Sequence, residues 1–152
     1  MSQIYSKLLN DVQLPNTFSG FLALCLSDND LLVYCDCGRG DRHLKLSFRD
    51  VVAYTVYEEL SHPSMDRSEN DTRPPVSEIS DCYYPALEIC ESEWVKSFSD
   101  IRLLHRKESI KHYQFLSYSN ILDVLFNGGF SSEIISNAEL KSVENFVESR
   151  LA

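Results

Sequence analysis

Residues 19–57 place the strongest constraint on the fold, because they contain several consecutive short runs rich in apolar residues, the first two of them apolar on both sides. In one run Leu44, Leu46 and Phe48 alternate with polar residues, with the period of two that is typical of a β-strand. Turn-forming residues separate the runs, for example the glycine-containing residues 38–41. Runs joined by such short turns predict an antiparallel meander of three or four strands.

Further strands are predicted nearer the C-terminus. Residues 110–118 and 121–126 are rich in apolar and aromatic residues and flank a short Ser-Asn turn, which predicts a second pair of strands. Residues 76–90 contain Pro85 between apolar residues. This segment is predicted to form an edge strand or two short strands, because proline cannot donate a hydrogen bond within a central ladder.

Three segments have helical spacing of their apolar residues. Residues 3–12 predict a short amphipathic helix. A capping serine precedes a second segment, which predicts a substantial helix over about 92–104. Ser136 and Glu139 have the spacing of a capping box and predict a terminal helix over about 137–151.

These elements indicate the α+β class, with a mainly antiparallel sheet of about six to eight strands packed against two substantial helices. A chain of 152 residues is the size of one domain, so residues 1–152 are expected to form a single α+β domain. The predicted core includes Leu46, Phe48, Trp94, Phe98, Phe115 and Val124.

Residues 61–77 differ from the rest in composition. They contain three prolines among serine, aspartate, glutamate, asparagine and arginine, and few residues that could anchor them to a core. This composition predicts a long exposed loop.

The compartment is predicted from what the chain lacks. No apolar run approaches the roughly 20 residues that a membrane helix needs, and the N-terminal residues have no apolar signal-peptide core. The five cysteines are an odd number without the spacing of a secreted disulfide framework. We therefore expect a cytoplasmic protein with reduced thiols and no membrane partner.

Negative charge is concentrated in one part of the chain. The formal net charge is −9, and residues 58–93 contain ten acidic and two basic residues. Direct nucleic-acid binding is not expected, because phosphates attract a basic surface. A basic protein is the natural partner for such a field, although a charged segment can also serve solubility alone.

The predicted partner-binding residues are acids that precede, lie within and follow the loop, together with two tyrosines, a residue type favoured at interface centres. They are Glu58, Glu59, Asp66, Glu69, Asp71, Glu78, Asp81, Tyr83 and Tyr84.

The thiols of Cys35 and Cys37 are predicted to lie on one side of a strand, and Cys25 on the neighbouring strand could approach them. Thiolates bind soft metal ions, but Cys-x-x-Cys pairs and a fourth ligand are missing. Because cysteine is among the most buried residue types, core packing is the preferred interpretation and no metal or cofactor is predicted.

A cysteine–histidine nucleophilic pair is the remaining enzymatic possibility. Cys25, Cys82 or Cys90 could face His43 or His112 in the fold. The chain lacks phosphate-binding, dinucleotide-binding and hydrolase motifs. No catalytic residue is therefore assigned, and the chain is not expected to be an enzyme.

Several sequence blocks together resemble those of small acidic bacterial immunity proteins of contact-dependent growth inhibition and other polymorphic toxin systems. The blocks are Phe-Arg-Asp-Val-Val-Ala-Tyr at 48–54 followed by Glu58, Ser-Glu-Trp-Val at 92–95, His-Tyr-Gln-Phe at 112–115 and Ile-Leu-Asp-Val-Leu at 121–125.

The resemblance implies a cytoplasmic antidote that binds one toxin C-terminal domain, often a nuclease, and blocks it. Immunity proteins have many unrelated folds, so the resemblance transfers no binding residue. Two alternatives remain open at this point, a non-catalytic adaptor that binds another protein and a small Cys/His enzyme.

Overall fold

A computed structural model describes residues 3–61, 73–76, 82–99 and 107–151. These residues contain nine β-strands and two α-helices. The strands are β1 (Ile4–Lys7), β2 (Gly20–Cys25), β3 (Leu31–Asp36), β4 (His43–Phe48), β5 (Val51–Glu58), β6 (Ala86–Cys90), β7 (Lys111–Leu116), β8 (Asn120–Phe126) and β9 (Phe130–Ile135), and the helices are α1 (Glu93–Ser97) and α2 (Asn137–Leu151).

The strands form two antiparallel sheets. One has five strands in the order β1-β6-β7-β8-β5, and the other has four in the order β2-β3-β4-β9. The α+β class is confirmed, but nine strands exceed the predicted six to eight. The predicted meander holds for β2, β3 and β4, whereas β5 leaves it and joins the other sheet.

One ladder connects the two sheets. The pairing of β4 with β9 ends at Phe48 and Phe130, and the pairing of β5 with β8 begins at Val51 and Phe126. Both strands of the ladder therefore change sheets at the same place. At the bend the Arg49 N–H donates to the Gly129 carbonyl at 2.9 Å, and the Gly128 N–H donates to the Arg49 carbonyl at 3.0 Å. Asp50 has a φ of 54°, in the left-handed region that aspartate and asparagine adopt more readily than most other residues. Strands that pass from one packed sheet to the other form such corners, and the two sheets enclose a common core.

Phe48 lies immediately before this corner and fills the space between the sheets. Its ring centroid is 5.2 Å from that of Phe126 and 5.1 Å from that of Phe130, with edge contacts to Tyr113 and Phe115. Such tilted arrangements are those that aromatic pairs prefer. The aromatic cluster therefore joins residues from both sheets.

The core prediction is confirmed for four of its six residues. Leu46, Phe48, Phe115 and Val124 are buried. Trp94 and Phe98 are only half-buried. They pack around Val95 and Leu125 in a smaller cluster on the outer face of the five-stranded sheet.

The helix predicted over 92–104 is much shorter than expected. The α1 helix ends at Ser97, since Phe98 adopts extended backbone angles of φ −76° and ψ 144°. Serine and aspartate follow, and these residues favour caps and turns over helix interiors. The part of the predicted helix from 100 onward lies outside the described residues.

Residues 3–12 do not form the predicted helix. β1 begins at Ile4 and pairs with β6, and Tyr5 is buried between two exposed neighbours. β6 itself is not the predicted edge strand, because it lies between β1 and β7. Pro85 precedes its first residue and so removes no donor from the ladder.

The terminal helix is confirmed together with its cap. The Glu139 N–H donates to Ser136 Oγ at 3.2 Å, and Leu140 is buried against Tyr34 and Ile135 on the outer face of the four-stranded sheet. The apolar residues of α2 are only partly buried, since Phe146 is 58% exposed.

Replacing Phe48 with alanine is expected to lower the free energy of unfolding by about 3–5 kcal/mol, because the corner cannot collapse around the lost ring. The matched change Phe146→Ala removes an exposed ring and should cost about 0.5 kcal/mol. Urea unfolding of both variants measures the difference. Equal losses would contradict the central position of Phe48.

Candidate functional site

Five of the nine predicted partner-binding residues lie outside the described part of the chain, namely Asp66, Glu69, Asp71, Glu78 and Asp81. The predicted loop over 61–77 lies mostly there too, with only Ser61 and residues 73–76 described. The four described partner residues form two pairs, one at the end of β5 and one just before β6.

The acidic pair Glu58 and Glu59 stands at the C-terminal end of β5 and is exposed. Glu58 Oε2 accepts the Leu60 N–H at 3.1 Å and the Ser61 hydroxyl at 3.2 Å. These bonds fix the short 3-10 turn that follows the strand. The Leu60 side chain projects from this turn and is 85% exposed.

Two apolar side chains precede this acidic pair on β5. Tyr54 and Val56 are 40% and 48% exposed, although Val124 and Leu122, which lie opposite them on β8, are completely buried. This half of β5 therefore extends beyond the cover of the second sheet. We call Tyr54, Val56, Glu58, Glu59 and Leu60 the β5 edge surface.

The tyrosine pair lies elsewhere in the molecule. The half-buried Tyr84 donates its hydroxyl to the Leu8 carbonyl at 2.7 Å, and burial, followed by the nearby Asp11, raises its pKa. Tyr83 forms an isolated antiparallel β-bridge with Pro75. Both tyrosines precede β6, which is three strand positions from β5, a separation of about 14 Å. The fold therefore separates the predicted aromatic anchors from Glu58 and Glu59.

A buried polar chain crosses the outer face of the five-stranded sheet, and the sequence analysis did not identify it. Ser92 Oγ is 2.7 Å from His112 Nδ1, and His112 Nε2 is 2.6 Å from Asp123 Oδ1. Gln114 Nε2 donates to the same carboxylate oxygen at 2.8 Å. The Arg73 guanidinium donates to Gln114 Oε1 at 2.6 Å. All five residues are buried.

The direction of each hydrogen bond follows from the groups present. A carboxylate oxygen can only accept, so the contact with Asp123 places a proton on His112 Nε2. The Nδ1 atom of His112 then accepts the Ser92 hydroxyl proton. Ser92 Oγ in turn accepts the Val95 N–H at 3.2 Å and caps α1. With one proton on the imidazole, every link therefore has one donor and one acceptor.

Serine, histidine and aspartate in this order also occur in serine hydrolases, where the hydroxyl attacks a bound substrate. Here Ser92 is itself the N-cap of α1, and its side chain is buried. The contacts instead connect α1 to the sheet and connect Arg73 to β7. Two features of the sequence could have indicated this buried polar chain. His112 and Gln114 alternate with aromatic residues, and Asp123 is a single acid in an apolar strand.

The two histidines do not form the proposed cysteine–histidine pair. Both ring nitrogens of His112 are used by Ser92 and Asp123. His43 accepts the Cys37 N–H at 3.1 Å through Nδ1, and its Nε2 faces the side-chain oxygen of Asn137. Neither imidazole has a nitrogen left for a thiol.

The thiols of Cys35 and Cys37 do not combine with Cys25. Cys35 pairs with Phe21, whereas Cys25 lies at the far end of the same ladder. Cys35 is fully buried, and burial, with a smaller contribution from Cys37, raises its pKa well above the usual value. The described residues contain no cluster of three or more histidine, cysteine or acidic side chains arranged to hold a metal ion.

A cleft of about 680 Å³ lies between the segment before β2 and the turn joining β3 to β4. Arg39, Arg42 and Tyr118 are among its lining residues. Asp41 in the same turn accepts the Asn137 N–H at 2.7 Å and so holds the start of α2. The turn therefore has a structural role at this end of the helix.

Comparison of the chain with protein-family models, with curated proteins and with solved structures finds no match. Within the described residues, neither helix has the length and apolar content needed to cross a bilayer.

Asp123→Ala is expected to lower the free energy of unfolding by about 3–5 kcal/mol, because His112 and Gln114 would each retain a buried N–H without its acceptor. Asp123→Asn keeps an oxygen at this position and should cost less. Urea denaturation of both variants provides the measurement. A loss below about 1 kcal/mol for the alanine variant would show that the polar chain contributes little to stability.

At pH 8 without denaturant, the exposed thiols of Cys25, Cys82 and Cys90 are expected to react with an aromatic disulfide reagent. Burial and then two nearby glutamates raise the pKa of Cys90, which should make it slower than an ordinary thiol. Cys35 should react only after unfolding. Rapid labelling of Cys35 in the native protein, detected by peptide mass spectrometry, would contradict its buried position.

The raised pKa of Cys35 also sets the sign of one contribution to pH dependence. The core favours the neutral thiol over the thiolate. The contribution of Cys35 to the free energy of unfolding is therefore fully present below the pKa of an unfolded thiol, about 8.5, and is lost as the pH rises through the higher pKa of the folded state. The free energies of unfolding of the wild type and of Cys35→Ala are measured between about pH 7 and about pH 10. The difference between the two proteins should become smaller at high pH. A difference that is constant with pH would contradict this assignment.

Proposed function

We propose that this chain is an immunity protein that binds a basic toxin domain in the cytoplasm and blocks its active site. The observation that supports this most is the β5 edge surface, where exposed apolar side chains stand directly beside exposed carboxylates. The concentration of acidic residues over 58–93 and the resemblance of the sequence blocks agree with it.

The composition of this surface suits a protein partner. Exposed apolar groups that cluster at one place favour association, because their burial removes apolar area from water. Tyr54 is an aromatic side chain of the kind that anchors interfaces. Glu58 and Glu59 at the rim would attract a basic partner over a long range and raise its association rate.

A toxin that cleaves nucleic acid has a basic active site, because its substrate is anionic. Carboxylates on an inhibitor compete naturally for such a site. Inhibition by occlusion needs only a complementary surface and no reaction catalysed by the inhibitor. An adaptor function would use the same surface but a partner other than a toxin, so the identity of the partner separates these two proposals.

The test first identifies the partner, by searching for a toxin gene beside the gene for this chain and by a pull-down from the native organism, and then uses the purified toxin domain. Glu59→Lys is expected to reduce the association rate about tenfold at low salt, because it reverses a rim charge. Glu148→Lys is the matched control, since it makes the same charge change on the exposed face of α2. Surface plasmon resonance at several salt concentrations measures both variants.

The control variant should keep most of the wild-type association rate. Equal effects of the two substitutions would mean that net charge alone matters and that the β5 edge surface is not the binding site. Failure of the wild-type protein to bind or neutralise the toxin domain would contradict the proposed immunity function itself.

A further inference from the structure

The β5 strand is an edge of the five-stranded sheet. It pairs with β8 on one side, and no described strand pairs with its other side. With eight residues it is longer than the other strands. An uncovered edge presents backbone N–H and C=O groups that can pair with another chain.

The phase of the ladder shows which backbone groups face outward. The Glu59 N–H donates to the Ser119 carbonyl at 2.9 Å. Hydrogen-bonded pairs alternate along an antiparallel ladder, so Tyr57 and Thr55 direct their backbone groups toward β8 in the same way. The backbone groups of the residues between them, Val56 and Tyr54, therefore point away from the sheet.

The outward-facing backbone and the exposed side chains thus belong to the same residues. The side chains of Tyr54 and Val56 are exposed on one face of the strand. Glu58 lies on the same face at the end of the strand and is exposed too. Natural edge strands are usually protected by lysine, proline or short length. β5 contains no lysine or proline, whereas the edge strand β1 has four residues and includes Lys7.

We propose that β5 accepts an extended segment of the toxin domain as an additional antiparallel strand. This inference rests on the proposed function and specifies how the partner binds. Main-chain hydrogen bonds to Tyr54 and Val56 would hold the segment, and its apolar side chains would cover theirs. Basic side chains on the segment would lie near Glu58 and Glu59.

The charge of the chain favours this occupant over a second copy of the protein. Pairing of two β5 strands would bring together two molecules that each have a formal net charge of −9. A basic segment instead gains from the same field. Dimer formation through β5 is the competing outcome of the experiment.

The experiment uses a synthetic peptide of alternating valine and lysine, acetylated and amidated, as the probe. Amide hydrogen exchange is followed by NMR with and without saturating peptide. The amides of Tyr54, Val56 and Glu58 should exchange at least about tenfold more slowly with the peptide, because each gains a hydrogen bond. The amides of Thr55 and Tyr57 already face β8 and should change little.

Two substitutions at one position provide the matched comparison. Val56→Pro removes an outward N–H without removing a bond to β8, whereas Val56→Ala shortens the side chain and keeps the N–H. Peptide binding should be lost in the proline variant and retained, at reduced affinity, in the alanine variant. The wild-type exchange pattern gives an independent result should the proline variant fail to fold.

Equal binding of the two variants, or protection of all five amides alike, would overturn strand addition. Concentration-dependent protection of the same amides without peptide would assign the edge to a second copy of the chain. Toxin neutralisation is measured separately. Neutralisation without peptide binding contradicts only strand addition, whereas peptide binding without neutralisation contradicts the immunity function.

Discussion

The corner at which one antiparallel ladder passes from the first sheet to the second determines the rest of this structure. The Arg49 backbone bonds to both Gly128 and Gly129 there, and Phe48 fills the adjacent interior. Near the corner β5 is covered by the second sheet, and farther along it is not. The same bend that closes the core therefore leaves Tyr54 and Val56 exposed at the sheet edge.

Local patterns predicted those elements whose structure is decided by nearby residues. The alternation in β4 and the serine cap of α2 are examples, because pleating and capping involve only neighbouring positions. β1 was wrongly predicted as a helix, since a short apolar pattern cannot reveal its pairing with β6. The early end of α1 was also missed, although the serine and aspartate after Phe98 favour a helix end.

The candidate site was predictable only through its charge. Glu58 and Glu59 stood out because acidic residues accumulate along one segment. The exposure of Val56 was not predictable, because it depends on where the second sheet ends relative to β5. The buried chain from Ser92 to Asp123 was missed for a similar reason, as its members come from separate strands and a helix cap.

The central claim is that the partner binds at the edge formed by β5. Hydrogen-exchange mass spectrometry of the protein alone and in complex with the toxin domain tests it most directly. The account predicts that the peptide covering residues 54–60 becomes strongly protected in the complex. Protection confined to other segments, with residues 54–60 exchanging as in the free protein, would contradict it.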